Sequence, residues 1–159
     1  MAKDKFKILV IHGPNLDRLG KREKNVYGEM TLEELNAEIA AVAGKLGVNV
    51  ETFQSNKEGE LVAKINTAGE AFDFLVVNPG AYTHVSYAIH DAIRAADLPA
   101  IEVHLSNVGA REPFRRVSVV APACIGSIAG FGAFSYLMAL EMAMSMLEAD
   151  TDSEAAGRE

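Results

Sequence analysis

Two histidines, His84 and His104, stand just beyond apolar runs that are typical of buried strands, and each has polar neighbours. Asn78 ends the run that precedes His84, and Ser106 follows His104. An imidazole can transfer protons near neutral pH or ligate a metal. A hydrogen-bonded structural role is an equal alternative for either histidine alone. Two histidines that each follow a predicted strand, beside a long polar loop, favour a functional site.

Three arginines, Arg111, Arg115 and Arg116, follow the second histidine. They could form a solvated surface cluster with Glu112, or one of them could hold a substrate carboxylate in a bidentate clamp. A zinc site would need a third protein ligand, and no close-spaced His or Cys is present to supply it. The sequence therefore predicts no metal.

The polar loop from Gly13 to Gly28 is longer than the usual connection between a strand and a helix, and such loops are often lids. Its start resembles a phosphate-binding P-loop, but six residues separate Gly13 from Gly20 and Arg22 stands where Ser or Thr is required. A glycine-rich stretch at 130–132 resembles a dinucleotide fingerprint, but it follows the last predicted strand. We assign it to close helix packing.

Short apolar runs alternate with amphipathic helical patterns, and this alternation predicts a parallel sheet covered by helices. The predicted strands are 6–12, 48–54, 74–78, 100–104 and 117–121. A capping box at Thr31 opens a helix that ends at Gly47, and a final helix ends near Leu147. The pattern predicts a flavodoxin-like, doubly wound α/β domain at 1–148, with helices on both faces of a five-stranded parallel sheet. A polar, disordered tail is expected at 149–159.

Composition excludes several classes of protein. A chain of 159 residues fits one domain, and a net charge of −7 argues against a nucleic-acid partner. The single cysteine, Cys124, cannot form an internal disulfide. No signal peptide is recognised at the N-terminus, and the apolar stretch at 121–147 is interrupted too often to span a membrane. We expect a cytoplasmic protein.

Several blocks of sequence, taken together and in order, resemble the type II 3-dehydroquinate dehydratases over residues 6–147. The blocks are Gly13-Pro14-Asn15-Leu16, Leu19-Gly20, Arg22-Glu23, Tyr27-Gly28, Asn78-Pro79-Gly80, Thr83-His84, Glu102-Val103-His104, Ser106-Asn107, Arg111-Glu112 and Phe114-Arg115. The resemblance implies dehydration of 3-dehydroquinate to 3-dehydroshikimate without metal, cofactor or Schiff base. It also implies a homo-oligomer, usually a dodecamer of four trimers.

The resemblance assigns roles in the reaction to four residues. Tyr27 matches the general base that removes a proton beside the ketone, with Arg22 next to it. A phenol with a reference pKa near 10 needs a nearby positive charge to ionise at neutral pH, and an arginine supplies one. Asn15 matches the residue that holds a water against the enolate, and His104 matches the general acid.

The resemblance also assigns the residues that bind substrate. They are Asn78, His84, Ser106, Arg115 facing the carboxylate, and Leu105 through its backbone, with Glu102 orienting His104. Asp91 matches an acid that reaches a neighbouring subunit's site. Because it lies about two helical turns beyond His84, it cannot easily point into the pocket of its own chain.

This sequence departs from the common family pattern at four positions. His12 stands where many members have Asn, Lys24 replaces a common Pro, Gly109 replaces a common His or aromatic residue, and Val117 replaces a common His. These changes affect lid stiffness and the polarity around the site rather than the assigned roles. The alternatives are the same reaction in quinate breakdown, a flavodoxin-like nucleotide- or flavin-binding module, and an inactive assembly subunit.

Overall fold

A single parallel sheet forms the centre of the molecule in the computed structural model, which describes residues 6–157. Its strands stand in the order β2-β1-β3-β4-β5. They are β1 (Lys7–His12), β2 (Asn49–Gln54), β3 (Phe74–Asn78), β4 (Ala100–His104) and β5 (Gly126–Ala129). The order reverses direction after β2, as the prediction of a doubly wound sheet requires.

Helices cover both faces of this sheet. They are α1 (Lys24–Tyr27), α2 (Leu32–Leu46), α3 (Glu58–Asn66), α4 (Tyr87–Ala96) and α5 (Ala133–Ala156), with short 3₁₀ turns between them. Alternate residues of β1 divide between two cores: Ile8 and Val10 pack with α2 and α5, whereas Leu9 and Ile11 pack with α3 and α4. A strand buried on both faces reads as a continuous apolar run, which is why β1 could be predicted.

The capping box predicted at Thr31 is present. Its hydroxyl accepts the Glu34 N–H at 3.2 Å, and the Glu34 carboxylate accepts the Thr31 N–H at 2.9 Å. Gly47 ends α2 in the left-handed region at φ 73°. This helix therefore begins and ends where the sequence predicts.

The fifth strand lies elsewhere than predicted. Residues 117–121 do not join the sheet, because the Ser118 hydroxyl accepts the N–H groups of Val120 and Ala121 at 3.2 and 2.9 Å and so withdraws them from strand pairing. The strand beside β4 is instead Gly126–Ala129, in parallel register with Ile101 opposite Gly126. The prediction of a strand at 117–121 was wrong.

The last helix is longer than predicted. It continues past Leu147 to Ala156, and the Thr151 and Ser153 hydroxyls bond back to the carbonyls of Leu147 and Ala149 at 3.0 Å each. Alanine and glutamate in this segment favour a helix although it is polar. The prediction of disorder is therefore wrong for residues 149–156, and the division of the chain at residue 148 stays a prediction. Within the described residues, the search for a helix long and apolar enough to cross a membrane finds no candidate.

Candidate active site

A polar cleft of about 120 Å³ lies beyond the carboxyl ends of β1, β3 and β4. This is where ligands bind in open α/β sheets. The cleft gathers these residues predicted for the site: Asn15, Arg22, Tyr27, Asn78, His84, His104, Leu105, Ser106 and Arg115. Residues that are far apart in sequence thus line one small cavity.

Tyr27 enters the cleft from the loop between β1 and α2, at the end of the short helix α1. Two guanidinium groups donate to its hydroxyl oxygen: Arg111 Nη1 at 2.6 Å and Arg22 Nη2 at 3.4 Å. Both guanidiniums also lie over the tyrosine ring, at 4.8 Å for Arg22 and 5.2 Å for Arg111. Two cationic groups thus converge on one phenol oxygen.

Arg111 is the residue that sequence reasoning missed. The sequence offers it only as a member of a surface cluster or as one of three candidates to hold a carboxylate, yet it makes the shorter of the two bonds to Tyr27. Arg22 is paired with Glu23 at 2.5 Å, whereas Arg111 has no carboxylate within salt-bridge distance among residues 6–157. Its charge is therefore directed at the phenol. The feature of the sequence that could have identified Arg111 is its position in the loop after β4, because this loop lies at the same edge of the sheet as the cleft.

His104 ends β4, lines the cleft and is buried together with Glu102. Its Nε2–H donates to Glu102 Oε1 at 2.7 Å, and Glu102 Oε2 accepts the Ser118 hydroxyl at 2.7 Å. Because a carboxylate only accepts, the ring carries its hydrogen on Nε2 and keeps Nδ1 available. With Nε2 held by Glu102, Nδ1 is the ring nitrogen left to transfer a proton, as a general acid requires.

Asn78 is held where β1 and β3 end side by side. Its carbonyl accepts the Gly13 N–H at 2.8 Å, and its side-chain oxygen accepts the Gly80 N–H at 3.1 Å. A Cβ at position 13 would lie 2.5 Å from the carbonyl carbon of Pro79, so only glycine fits there. This close approach fixes the floor of the cleft.

His84 and Arg115 form the outer wall of the cleft. The Nδ1–H of His84 donates to the Val117 carbonyl at 2.7 Å, and the His84 ring meets Phe114 edge to face with 6.0 Å between ring centres. Arg115 pairs with Glu112, and its guanidinium lies 4.7 Å from the centre of the Phe114 ring. The outer wall therefore presents a cation held in a fixed direction, which suits a carboxylate.

Two residues predicted for the site do not line the cleft: Glu102, which bonds to His104, and Asp91. Asp91 lies exposed on α4, in agreement with the expectation that it would not reach its own pocket. Asn15 lines the cleft in the left-handed conformation at φ 66°, with its N–H donating to Asn56 Oδ1 at 2.8 Å.

The structure describes residues 6–157, and in that range no group of three or more His, Cys, Asp or Glu is placed to hold a metal ion. Cys124 lies away from the cleft, half-buried, with its Sγ 3.8 Å from the Val120 carbonyl oxygen. Burial, with the Glu102 carboxylate as a smaller cause, raises the pKa of this thiol to about 12. A thiol of this kind is a poor nucleophile.

Comparisons with known proteins show which family the chain is related to. The class II dehydroquinase family profile matches residues 6–144. The chain is 55% identical over 143 residues to the 3-dehydroquinate dehydratase of Caldicellulosiruptor bescii, covering 89% of this chain and 99% of that protein. It is 56% identical over 135 residues to the enzyme of the same name from Geotalea daltonii, covering 85% and 94%.

Solved structures agree with these relatives. The type II dehydroquinase from Butyrivibrio crossotus superposes with a TM-score of 0.86 at 48% identity, over 89% of this chain and 99% of that one. The type II dehydroquinase from Propionibacterium acnes gives a TM-score of 0.85 at 41% identity, over 87% and 96%. The cleft with its arginine-bound tyrosine thus lies in a chain that belongs to the class II dehydroquinase family.

Proposed function

We propose that this chain is a 3-dehydroquinate dehydratase of type II, a hydro-lyase that forms 3-dehydroshikimate in the route to aromatic amino acids. The observation that carries the proposal is the Tyr27 oxygen bonded by Arg111 at 2.6 Å, in the same cleft as His104 paired with Glu102. Elimination of water requires a base and an acid, and these two residues can supply them. The substrate is inferred from the name that the relatives share, 3-dehydroquinate dehydratase.

Tyr27 is the general base in this proposal. The two arginines stabilise its phenolate, which removes a proton from the carbon beside the substrate ketone. The electron pair moves onto the ketone oxygen and forms an enolate. Asn15 holds a water that donates a hydrogen bond to the enolate oxygen, an oxyanion-type stabilisation.

His104 is the general acid. With Nε2 bonded to Glu102, the imidazolium presents its Nδ1–H to the departing hydroxyl. Collapse of the enolate breaks the carbon–oxygen bond, and the hydroxyl takes the proton and leaves as water. In this proposal the elimination is anti, so that the proton and the hydroxyl leave from opposite faces of the ring.

The remaining cleft residues bind the substrate. Arg115, backed by Phe114, faces the carboxylate, and Asn78, His84 and Ser106 bond the ring hydroxyls. The backbone of Leu105 adds contacts to the substrate. The proposal includes no metal and no cofactor, because two arginines stabilise the phenolate and a water held by Asn15 stabilises the enolate.

The proposal extends to a cytoplasmic dodecamer of four trimers. Its support is the family resemblance and the position of Asp91, exposed on α4 and away from its own cleft. In such a trimer the Asp91 carboxylate of one subunit would complete the site of the next. An isolated monomer with full activity would contradict this part.

The test is to add 3-dehydroquinate to the purified protein and follow the ultraviolet absorbance of the conjugated enone product. We expect turnover by the wild type and a loss of about 10²–10⁴-fold in kcat for Tyr27→Phe, which removes only the oxygen that takes the proton. Tyr87→Phe is the matched control, since Tyr87 is exposed and lies outside the cleft. Absence of product with the wild type would favour a binding module, and full activity of Tyr27→Phe would exclude this base.

A second test concerns the absence of metal and imine chemistry. Activity is expected to survive exhaustive chelation, and also borohydride treatment in the presence of substrate, which traps a Schiff base irreversibly. Loss of activity after either treatment would overturn the mechanism.

A further inference from the structure

A chain of buried polar side chains lies directly behind the cleft and connects α2, β1, α5 and β3. His12 Nε2 lies 2.7 Å from Asn36 Oδ1, and His12 Nδ1 lies 2.9 Å from the Tyr136 hydroxyl. The same hydroxyl lies 2.9 Å from Asn78 Nδ2. The chain thus ends on a residue that lines the cleft. We name these four residues, Asn36, His12, Tyr136 and Asn78, the relay.

A backbone group fixes the direction of every hydrogen bond in the relay. The Gly80 N–H can only donate, so the Asn78 atom facing it at 3.1 Å is the side-chain oxygen. The Asn78 nitrogen therefore faces Tyr136 and donates to the phenol oxygen. The Tyr136 hydrogen then has one acceptor, His12 Nδ1, so His12 carries its own hydrogen on Nε2 and donates it to Asn36 Oδ1.

Burial makes this direction rigid. His12 and Tyr136 are both 0% exposed, and Asn78 is 3% exposed, so water does not offer alternative partners. Burial lowers the pKa of His12 to about 4 and raises the pKa of the Tyr136 phenol. Both groups are therefore neutral at physiological pH, as the hydrogen-bond directions require.

We propose that His12 and Tyr136 are positioning residues for the reaction, because the relay holds the Asn78 amide with one N–H turned inward and the other left for the substrate. The inference rests on the proposed function, in which Asn78 binds a ring hydroxyl of the substrate. Neither His12 nor Tyr136 lines the cleft, so both act through Asn78.

The relay predicts a specific kinetic signature. Without the Tyr136 hydroxyl, the inward N–H of Asn78 loses its acceptor, and the amide is free to rotate away from the substrate. A contact that binds substrate and transition state equally affects KM rather than kcat. Loss of a neutral hydrogen bond corresponds to about a 3- to 10-fold rise in KM.

The experiment is a double-mutant cycle on steady-state kinetics with 3-dehydroquinate. Tyr136→Phe and Asn78→Ala are compared singly and together. Leu140→Val serves as the control, because Leu140 is equally buried on the same helix but has no polar side-chain group and so takes part in no hydrogen bond of the relay. We expect KM to rise in both single variants, no further rise in the double variant, and an unchanged KM for Leu140→Val even if its melting temperature falls.

Further variants keep the proposal falsifiable if Tyr136→Phe folds poorly. Asn36 is only half-buried on α2, and Asn36→Ala removes the far end of the relay with little effect on packing. It should raise KM in the same direction. His12→Asn keeps a neutral acceptor for Tyr136 and should leave KM close to the wild-type value, whereas His12→Leu should raise it.

Three results would overturn the proposal. The first is an unchanged KM in both Tyr136→Phe and Asn36→Ala, together with a raised KM in Asn78→Ala. This result would refute the relay but would still support a role of Asn78 in substrate binding. The second is an equal KM rise for Tyr136→Phe with and without Asn78, which would mean that Tyr136 acts elsewhere. The third is an unchanged KM in Asn78→Ala, which would refute the relay together with the assigned role of Asn78.

Discussion

The buried histidine at the end of β1 should make folding stability depend on pH in a way that a single substitution removes. Burial lowers the pKa of His12 from 6.5 to about 4, and the groups that contact its ring, Tyr136 and Asn36, are both uncharged. The unfolded chain therefore binds a proton at this residue between pH 6.5 and 4, whereas the folded chain does not. Protonation then favours the unfolded state.

The magnitude follows from the shift. Stability from this group is fully present above pH 6.5 and falls by about 1.36 kcal/mol for each unit of pH below that value. At pH 5 the loss is about 2 kcal/mol, and it levels off at about 3 kcal/mol near pH 4, where the folded form also takes up the proton. Carboxylate groups add their own pH dependence to the free energy of unfolding, so the contribution of His12 must be measured separately.

Comparison with His12→Asn provides that isolation. Urea unfolding is followed by far-ultraviolet circular dichroism at pH 8, 7, 6 and 5, with equal protein concentrations because assembly contributes to apparent stability. We expect the wild type to lose about 2 kcal/mol more than the variant between pH 7 and pH 5. Parallel pH profiles for the two proteins would show that His12 does not titrate as its burial requires, and the reasoning would fail.

Further predictions concern the cleft and the cysteine. Arg111→Ala should lower kcat at least as much as Arg22→Ala, because the Tyr27 oxygen loses the closer of its two cationic donors; a smaller loss of kcat than in Arg22→Ala would contradict this. His104→Ala should retain proton exchange beside the ketone better than product formation, measured by deuterium uptake into substrate, whereas equal loss of both would argue against a separate acid. Cys124 should react with a disulfide reagent about 30-fold more slowly in the folded protein than in urea at pH 8, because burial raises its pKa from 9.0 to about 12 and the smaller thiolate fraction is only partly offset by the greater nucleophilicity of a more basic thiolate. Equal rates would refute its protection.

Strands with strong local signals could be predicted, and a weak edge strand could not. The runs that end at His12, Asn78 and His104 are apolar because they are buried on both faces. The strand Gly126–Ala129 is exposed along half its length and contains a glycine and a serine, so its sequence has little β signal. Its place is set by pairing with β4, a tertiary contact that local pattern does not contain.

The positions of candidate site residues could be predicted where those residues lie at the end of a predicted strand. Parallel strands bring their carboxyl ends to one rim, which placed Asn78 and His104 correctly. Arg111 could not be assigned in this way, because the loop that carries it bends back through two short 3₁₀ turns toward Tyr27, which is 84 positions earlier in the chain. The conformation of the loop alone distinguishes Arg111 from its neighbour Arg116, which is exposed.

The hydrogen bond from the Gly80 backbone to Asn78 restricts which residues evolution can accept far from the substrate. Only proline lacks a backbone N–H, and its fixed negative φ does not fit position 80, where φ is 58°, so the side chain at position 12 must accept from Tyr136. Asn and neutral His can do so, whereas Lys and Arg offer only donors and Leu offers nothing. Substitutions at position 12 are thus limited to a few residue types unless Tyr136 is also replaced in the same lineage. Positions 12 and 136 should accordingly change as a pair among homologues.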